Sequence, residues 1–143
     1  MGILSFFKIL SHAESLDIGA KAPHFTVEDQ NGSEIKLEEV YKKGVTLVYF
    51  YPKADTPGCT AQACNLRDSF EELTKKGVQV IGVSTDKPEA QKKFKEKYNL
   101  PFTLIADSDL KLIKAFGVPL IIDKFLPFRQ SFLVKDGIIV SVK

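Results

Sequence analysis

Val45 to Cys64 reads Val-Thr-Leu-Val-Tyr-Phe-Tyr-Pro-Lys-Ala-Asp-Thr-Pro-Gly-Cys-Thr-Ala-Gln-Ala-Cys, an apolar strand that passes through two prolines and a glycine into an amphipathic helix. Residues 45–51 are β-branched or aromatic almost without a break, the pattern of a strand covered on both faces, so this strand is expected to be central. Pro52 lacks a backbone donor and stops the ladder. Pro57 has the fixed φ that suits a helix start, which places the helix beginning near Cys59. From there Cys59, Ala63, Leu66, Phe70 and Leu73 recur at steps of four and three, one apolar stripe down a helix. Gly77 stops it, and Lys75 with Lys76 suits the negative end of the helix dipole.

Cys59 and Cys64 are the only cysteines in 143 residues. A cysteine on an apolar stripe is ordinarily an inert core residue. Cys59 differs because it lies in the first helical turn, where free N–H groups and the positive dipole end favour an anion and so enlarge the reactive thiolate fraction. Cys64 lies about 140° further round an ideal helix, with Cα atoms about 8.6 Å apart. A disulfide closes without backbone movement only below roughly 7 Å, so pairing requires the first turns to unwind.

The remaining chain supplies a body for this element. Its length fits one domain, and 44% apolar residues suffice for a real core. A net charge of +2, dispersed and without a basic cluster on an aromatic surface, argues against nucleic acid. In residues 1–15, Ile3, Phe6, Phe7 and Leu10 share one helical face, and a retained amphipathic extension is expected rather than a secretory signal, because Lys8 interrupts a short apolar run. No span approaches transmembrane length. The body is assigned to residues 16–143. Phe25 and Val27, then Ile35 and Leu37, alternate about Asn31-Gly32, a two-residue turn signal for a hairpin. Residues 37–42 suit one helical turn.

Residues 78–84 form a second buried strand. Asp86 is a candidate N-cap, and Ala90, Phe94 and Tyr98 mark the inner face of a lysine-rich helix. Residues 103–106 read as a strand and 109–116 as a short helix closed by Gly117. The strands 130–135 and 138–142 turn at Asp136-Gly137. Leu120 to Phe128 is unusually apolar for a connection, which suits a loop packed on the core or else a rim of the active site or a dimer contact. Alternating strands and helices followed by a hairpin define an α/β layered sheet.

Pro52-x-x-x-Thr56-x-x-Cys59 resembles the active-site signature of the peroxiredoxins, and Asp55-Thr56-Pro57-Gly58-Cys59-Thr60 followed by Cys64 resembles the peroxiredoxin Q, or bacterioferritin comigratory protein, subfamily. The resemblance runs from about Gly19 to the end. It implies a thioredoxin-like fold with an extra N-terminal β-hairpin and a mixed central sheet flanked by helices. It also implies reduction of hydrogen peroxide and organic hydroperoxides without a metal or organic cofactor. On this resemblance Cys59 is the peroxidatic cysteine and Cys64 the resolving one, closing an intramolecular disulfide recycled by a thioredoxin-like reductant. Thr56 would hydrogen-bond the substrate, Pro52 would shield the pocket, and Arg129 would hold the thiolate and polarise the O–O bond. A cytoplasmic monomer or weak homodimer, with no integral membrane span, is the matching expectation. The subfamily also carries a further C-terminal helix, whereas this sequence stops on a strand at Lys143; either the C-terminus is truncated or another element covers that sheet face, and the N-terminal amphipathic segment is the candidate cover.

Three other classes compete. A thiol-disulfide oxidoreductase of the same fold normally uses Cys-x-x-Cys, but four residues intervene here. A zinc module needs paired ligand spacing, which two cysteines with the distant His12 and His24 lack. A non-catalytic interaction domain predicts an ordinary alkylation rate at Cys59.

Overall fold

The computed structural model describes residues 15–121 and 125–143. Its first strands, β1 (Thr26–Glu28) and β2 (Glu34–Lys36), form the expected antiparallel hairpin. The turn is longer than the two residues expected at Asn31-Gly32. The Asp29 carboxylate accepts the N–H groups of Asn31 and Ser33 at 2.8 and 2.9 Å, which organises a loop from Asp29 to Ser33. Helix α1 (Leu37–Lys43) then leads into β3 (Val45–Phe50).

β3 is central. It runs parallel to β4 (Val78–Ser84) and antiparallel to β8 (Gln130–Lys135). With β5 (Thr103–Ala106) and β9 (Ile138–Val142) the order is β5-β4-β3-β8-β9, a mixed sheet. The spans of β4, β5, β8 and β9 agree with the sequence reading. Asp136 and Gly137 both have positive φ, 52° and 75°, as the tight turn between β8 and β9 requires.

Helix α2 (Pro57–Lys75) starts two residues earlier than expected, with Pro57 itself in the first turn. Helix α3 (Pro88–Lys97) is preceded by Lys87 at the N-cap, not by Asp86, whose side chain is engaged elsewhere. Helix α4 (Lys111–Phe116) begins later than position 109. Asp107, only 3% exposed, explains the shift, because its two carboxylate oxygens accept the N–H groups of Leu112 and Ile113 at 3.0 and 2.8 Å. Burial raises the Asp107 carboxyl above its ordinary range despite those bonds.

Successive β3 side chains point to opposite faces of the sheet. Val48 and Phe50 join Phe116, Phe132, Leu112 and Ile113 in one cluster under α1, α4 and the hairpin. Tyr49 and Tyr51 join Cys59, Ala63, Phe94 and Leu104 in the other, under α2 and α3. Each large side chain so buried contributes about 1.5–3 kcal/mol before entropy is counted.

Both sheet edges are partly covered by the N-terminal part of the described chain. Asp29 bridges to Ile105, and Gln30 accepts the Leu104 N–H, so the hairpin lies against β5. At the far edge Lys21 bridges to Ile138, and Ile139 exchanges hydrogen bonds with Gly19 and Ala20. The amphipathic helix expected over residues 1–15 lies outside the described residues save Ser15. The apolar connection forms two short strands, β6 (Leu120–Ile121) and β7 (Leu126–Pro127). Pro127 is buried, whereas Phe125 and Phe128 are exposed.

Candidate active site

The site lies where β3 ends and α2 begins. Tyr51 extends the ladder by one bond, donating its N–H to Val83 at 3.0 Å, and half-buried Pro52 then turns the chain away. Asp55 takes a left-handed conformation, φ 59°, that aspartate tolerates better than most residues. Its carboxylate accepts from Lys97 Nζ and from the Tyr98 hydroxyl, both at 2.9 Å, and these bonds hold it below the ordinary carboxylate range. Thr56 occupies the N-cap position through its backbone, whose carbonyl accepts the Thr60 N–H at 2.8 Å. Its side chain makes no capping bond. Instead the Thr56 hydroxyl donates back to the Lys53 carbonyl at 2.8 Å.

Cys59 is the third residue of α2 and 1% exposed. At that position the backbone N–H groups of the first turn have no partner within the helix, so the dipole end faces the sulfur's surroundings. Arg129, just before β8, completes the arrangement. Its Nη2 donates to Cys59 Sγ at 3.2 Å, and its Nη1 donates to the side-chain oxygen of Gln62 at 2.9 Å. One guanidinium therefore spans most of a turn of α2. Gly58 makes this approach feasible: a Cβ there would lie 2.6 Å from Arg129 Nη2.

Cys64 is half-buried and, like Cys59, a free thiol on the same continuous helix. The structure therefore brings Cys59 and Arg129 into contact, places Thr56 three residues from the sulfur with Pro52 at the head of the loop, and leaves Cys64 unpaired. A cavity of about 450 Å³ opens beside Arg129, lined also by Gly58, Gln62, Tyr49, Leu66 and Ser131. Tyr49 is 1% exposed, and burial, then the neighbouring Cys59, pushes its phenol far above the usual range. Among the described residues, its hydroxyl and that of Thr60 are buried and meet no hydrogen-bond partner.

Gln62 was not singled out in the sequence, Gly58 appeared there only within the motif around Cys59, and Asp86 only as a candidate N-cap. Gln62 carries a signal only in hindsight, as a polar residue three positions from Cys59 and so on the neighbouring helix face. Among the described residues, no group of three histidine, cysteine or acidic side chains is arranged to hold a metal. No helix among them is long and apolar enough to cross a membrane.

A buried cysteine in the first turn of a helix that follows a central strand, on a sheet of this order, defines the thioredoxin-fold class of cysteine proteins. The chain belongs to the AhpC/TSA family, whose pattern matches residues 18–142, and within it to the peroxiredoxin Q and Bcp group. It is 46% identical to peroxiredoxin Q, chloroplastic, of Oryza sativa subsp. japonica over 122 residues, 85% of this chain and 56% of the rice protein. With peroxiredoxin Bcp of Escherichia coli (strain K12) it shares 52% over 103 residues, 72% of this chain and 65% of that one. The crystal structure of peroxidoxin BcpB from Mycobacterium tuberculosis superposes with a TM-score of 0.84 at 30% identity, covering 90% of this chain and 85% of that chain. The chain thus spans little more than half the length of the plant relative.

Proposed function

We propose that the protein is a thiol-dependent peroxidase that reduces hydrogen peroxide and organic hydroperoxides through Cys59. The observation that carries this reading is the Arg129 guanidinium on Cys59 Sγ, with its second terminal nitrogen held by Gln62. The thiolate attacks the terminal oxygen of the hydroperoxide, the O–O bond breaks, and Cys59 becomes a sulfenic acid. The electron pair leaves on the second oxygen, which takes a proton and departs as water or an alcohol. Arg129 supplies a fixed positive charge where negative charge spreads over sulfur and oxygen in the transition state. Thr56 has committed its own proton to the Lys53 carbonyl, so its remaining lone pairs accept the hydroperoxide O–H and orient it. Pro52 shields the loop from water.

Cys64 then condenses with the sulfenic acid: an S–S bond forms and water leaves. Both cysteines sit in one intact helix, so α2 must unwind over residues 59–64 and release the Arg129 contacts. A thioredoxin-like dithiol reopens the disulfide by exchange. The reading includes a reducing, cytoplasmic location, where free thiols persist. The working unit is a monomer or weak homodimer built on residues 16–143, with 1–15 as an extension. Phe125 and Phe128 are exposed on the connection that leads in sequence to Arg129.

Stopped-flow mixing with hydrogen peroxide tests the scheme. Cys59→Ser is expected to lose about 10,000-fold or more of the peroxide rate constant. Cys64→Ser is expected to complete one fast turnover and then stall or overoxidise. Undiminished turnover by Cys59→Ser, or normal thioredoxin-driven cycling by Cys64→Ser, refutes the respective role.

A further inference from the structure

Asp86 stands where an N-cap of α3 is expected, yet it caps nothing. The first-turn N–H groups of Ala90 and Gln91 go to the Lys87 carbonyl, and Pro88 has none to offer. The Asp86 carboxylate turns instead across the sheet end. Its Oδ2 accepts the Ala54 N–H at 2.8 Å and the Ser84 hydroxyl at 2.6 Å. Ala54 lies in the loop between Pro52 and Thr56, 32 residues away in the chain.

We propose that Asp86 is a positioning residue for the peroxide step: by accepting the Ala54 N–H it holds the segment that carries Thr56 and leads into Cys59. This rests on the peroxidase reading above. The loop needs such an anchor. The Thr56 side chain bonds to Lys53 within the loop itself, and Asp55 bonds to Lys97 and Tyr98 at an exposed surface, where ion pairs are weak. The Ala54 bond, at 2.8 Å, instead ties the loop to the end of β4. Its acceptor is held in turn by Ser84, 0% exposed at the end of β4. The adjacent side chains are equally constrained. The Tyr51 phenol donates to the Gln91 side-chain oxygen, and Gln91 Nε2 donates to the Ile105 carbonyl at 2.8 Å. β3, β4, β5 and α3 therefore converge on the point from which the reactive loop hangs.

The function demanded of Asp86 is acceptance, not charge. The Ala54 N–H needs only an acceptor oxygen at that place, and an amide oxygen of the same geometry supplies one.

The test compares Asp86→Ala, Asp86→Asn and wild type by two rate constants on reduced, full-length protein: oxidation of Cys59 by hydrogen peroxide, and its alkylation by iodoacetamide. Misplacement of a substrate-orienting group costs up to about 100-fold, so Asp86→Ala should lose about 10- to 100-fold toward peroxide. Alkylation uses neither Thr56 nor a fixed substrate pose, and should change by less than about threefold. Asp86→Asn should recover most of the peroxide rate. An unchanged peroxide rate in Asp86→Ala overturns the proposal. Equal losses in both reactions, or no recovery by asparagine, overturn it too, since they mark a general structural role. Should Asp86→Ala not fold, Ser84→Ala frees the carboxylate and is expected to show a selective loss of the same kind, about tenfold toward peroxide with alkylation again changed by less than about threefold; no selective loss there is equally fatal. A wild-type protein that fails to react with peroxide refutes the peroxidase reading itself, a result distinct from all of these.

Discussion

The two faces of the central sheet differ in kind. On one, Phe50 packs edge-on against Phe116 and Phe132 at centroid distances of 5.2 and 5.8 Å, and the clustered residues are nearly all hydrocarbon. On the other, Tyr49 and Tyr51 stack at 5.4 Å beneath a thiol, with two buried hydroxyls left unpaired nearby. Both faces are supplied by alternate residues of the same strand. Apolar contacts are cheap to bury and stabilise without constraint on direction, whereas unpaired polar atoms cost about 1–3 kcal/mol each. Among the described residues the two unpaired hydroxyls, of Tyr49 and Thr60, stand on the Cys59 side, whereas the buried carboxylate of Asp107 on the other side is fully hydrogen-bonded. One face therefore holds the fold, and the other accepts a penalty in order to carry chemistry.

Substitutions can break or sharpen that division. The largest expected effect is on the hydrocarbon face: Phe116→Ala should cost about 3–5 kcal/mol in urea denaturation, while the folded fraction keeps its peroxide rate constant within about twofold. A rate constant that falls in step with stability would erase the distinction. Across the sheet, Arg129→Ala should lower the peroxide rate constant about 100-fold, near 2.7 kcal/mol, and move the urea midpoint little. Arg129→Lys should recover little, because an ammonium cannot reach sulfur and Gln62 together as the planar fork does.

Gly58→Ala is expected to cost about tenfold in the same assay, since the new methyl displaces the guanidinium by a fraction of its reach. Tyr49→Phe removes an unpaired buried hydroxyl and keeps the ring. It should stabilise by up to about 1 kcal/mol, and a loss of rate would show instead that the phenol serves the sulfur. The smallest effect is a pH slope on the hydrocarbon side. The Asp107 carboxyl is raised on folding, so the native chain binds the proton more tightly than the unfolded one, and its contribution to stability declines as pH rises above the ordinary carboxylate range. Asp107→Asn should flatten that part of a plot of urea midpoint against pH.

Much of this was legible in residues alone. Strands β4, β5, β8 and β9 announced themselves through β-branched runs bounded by turn residues, and α2 through its stripe from Cys59 to Leu73. The early start of α2 follows from Pro57, but the other three departures share one reason. Asp29 was hidden behind a familiar Asn-Gly pair, Asp86 read as a cap, and Asp107 went unnoticed, because each carboxylate chooses among backbone donors that only the folded chain brings near. Gln91 belongs with them: a polar residue one step beyond Ala90 on a lysine-rich helix gives no hint that it is wholly buried under Tyr51.

Local order along the chain determined which segments are strands and helices, that a thiol stands in the first turn of a helix, and that a second lies too far round that helix to reach it. These follow from periodicity, proline and glycine, which act over a few residues. Tertiary structure decided what touches the sulfur. Arg129 lies 70 residues from Cys59 in the chain, and Asp86 is separated from Ala54 by the whole of α2 and β4. Hydrogen bonds have a reach of about 3 Å, so only the packing of β8 and β4 on either side of β3 brings those partners to one loop.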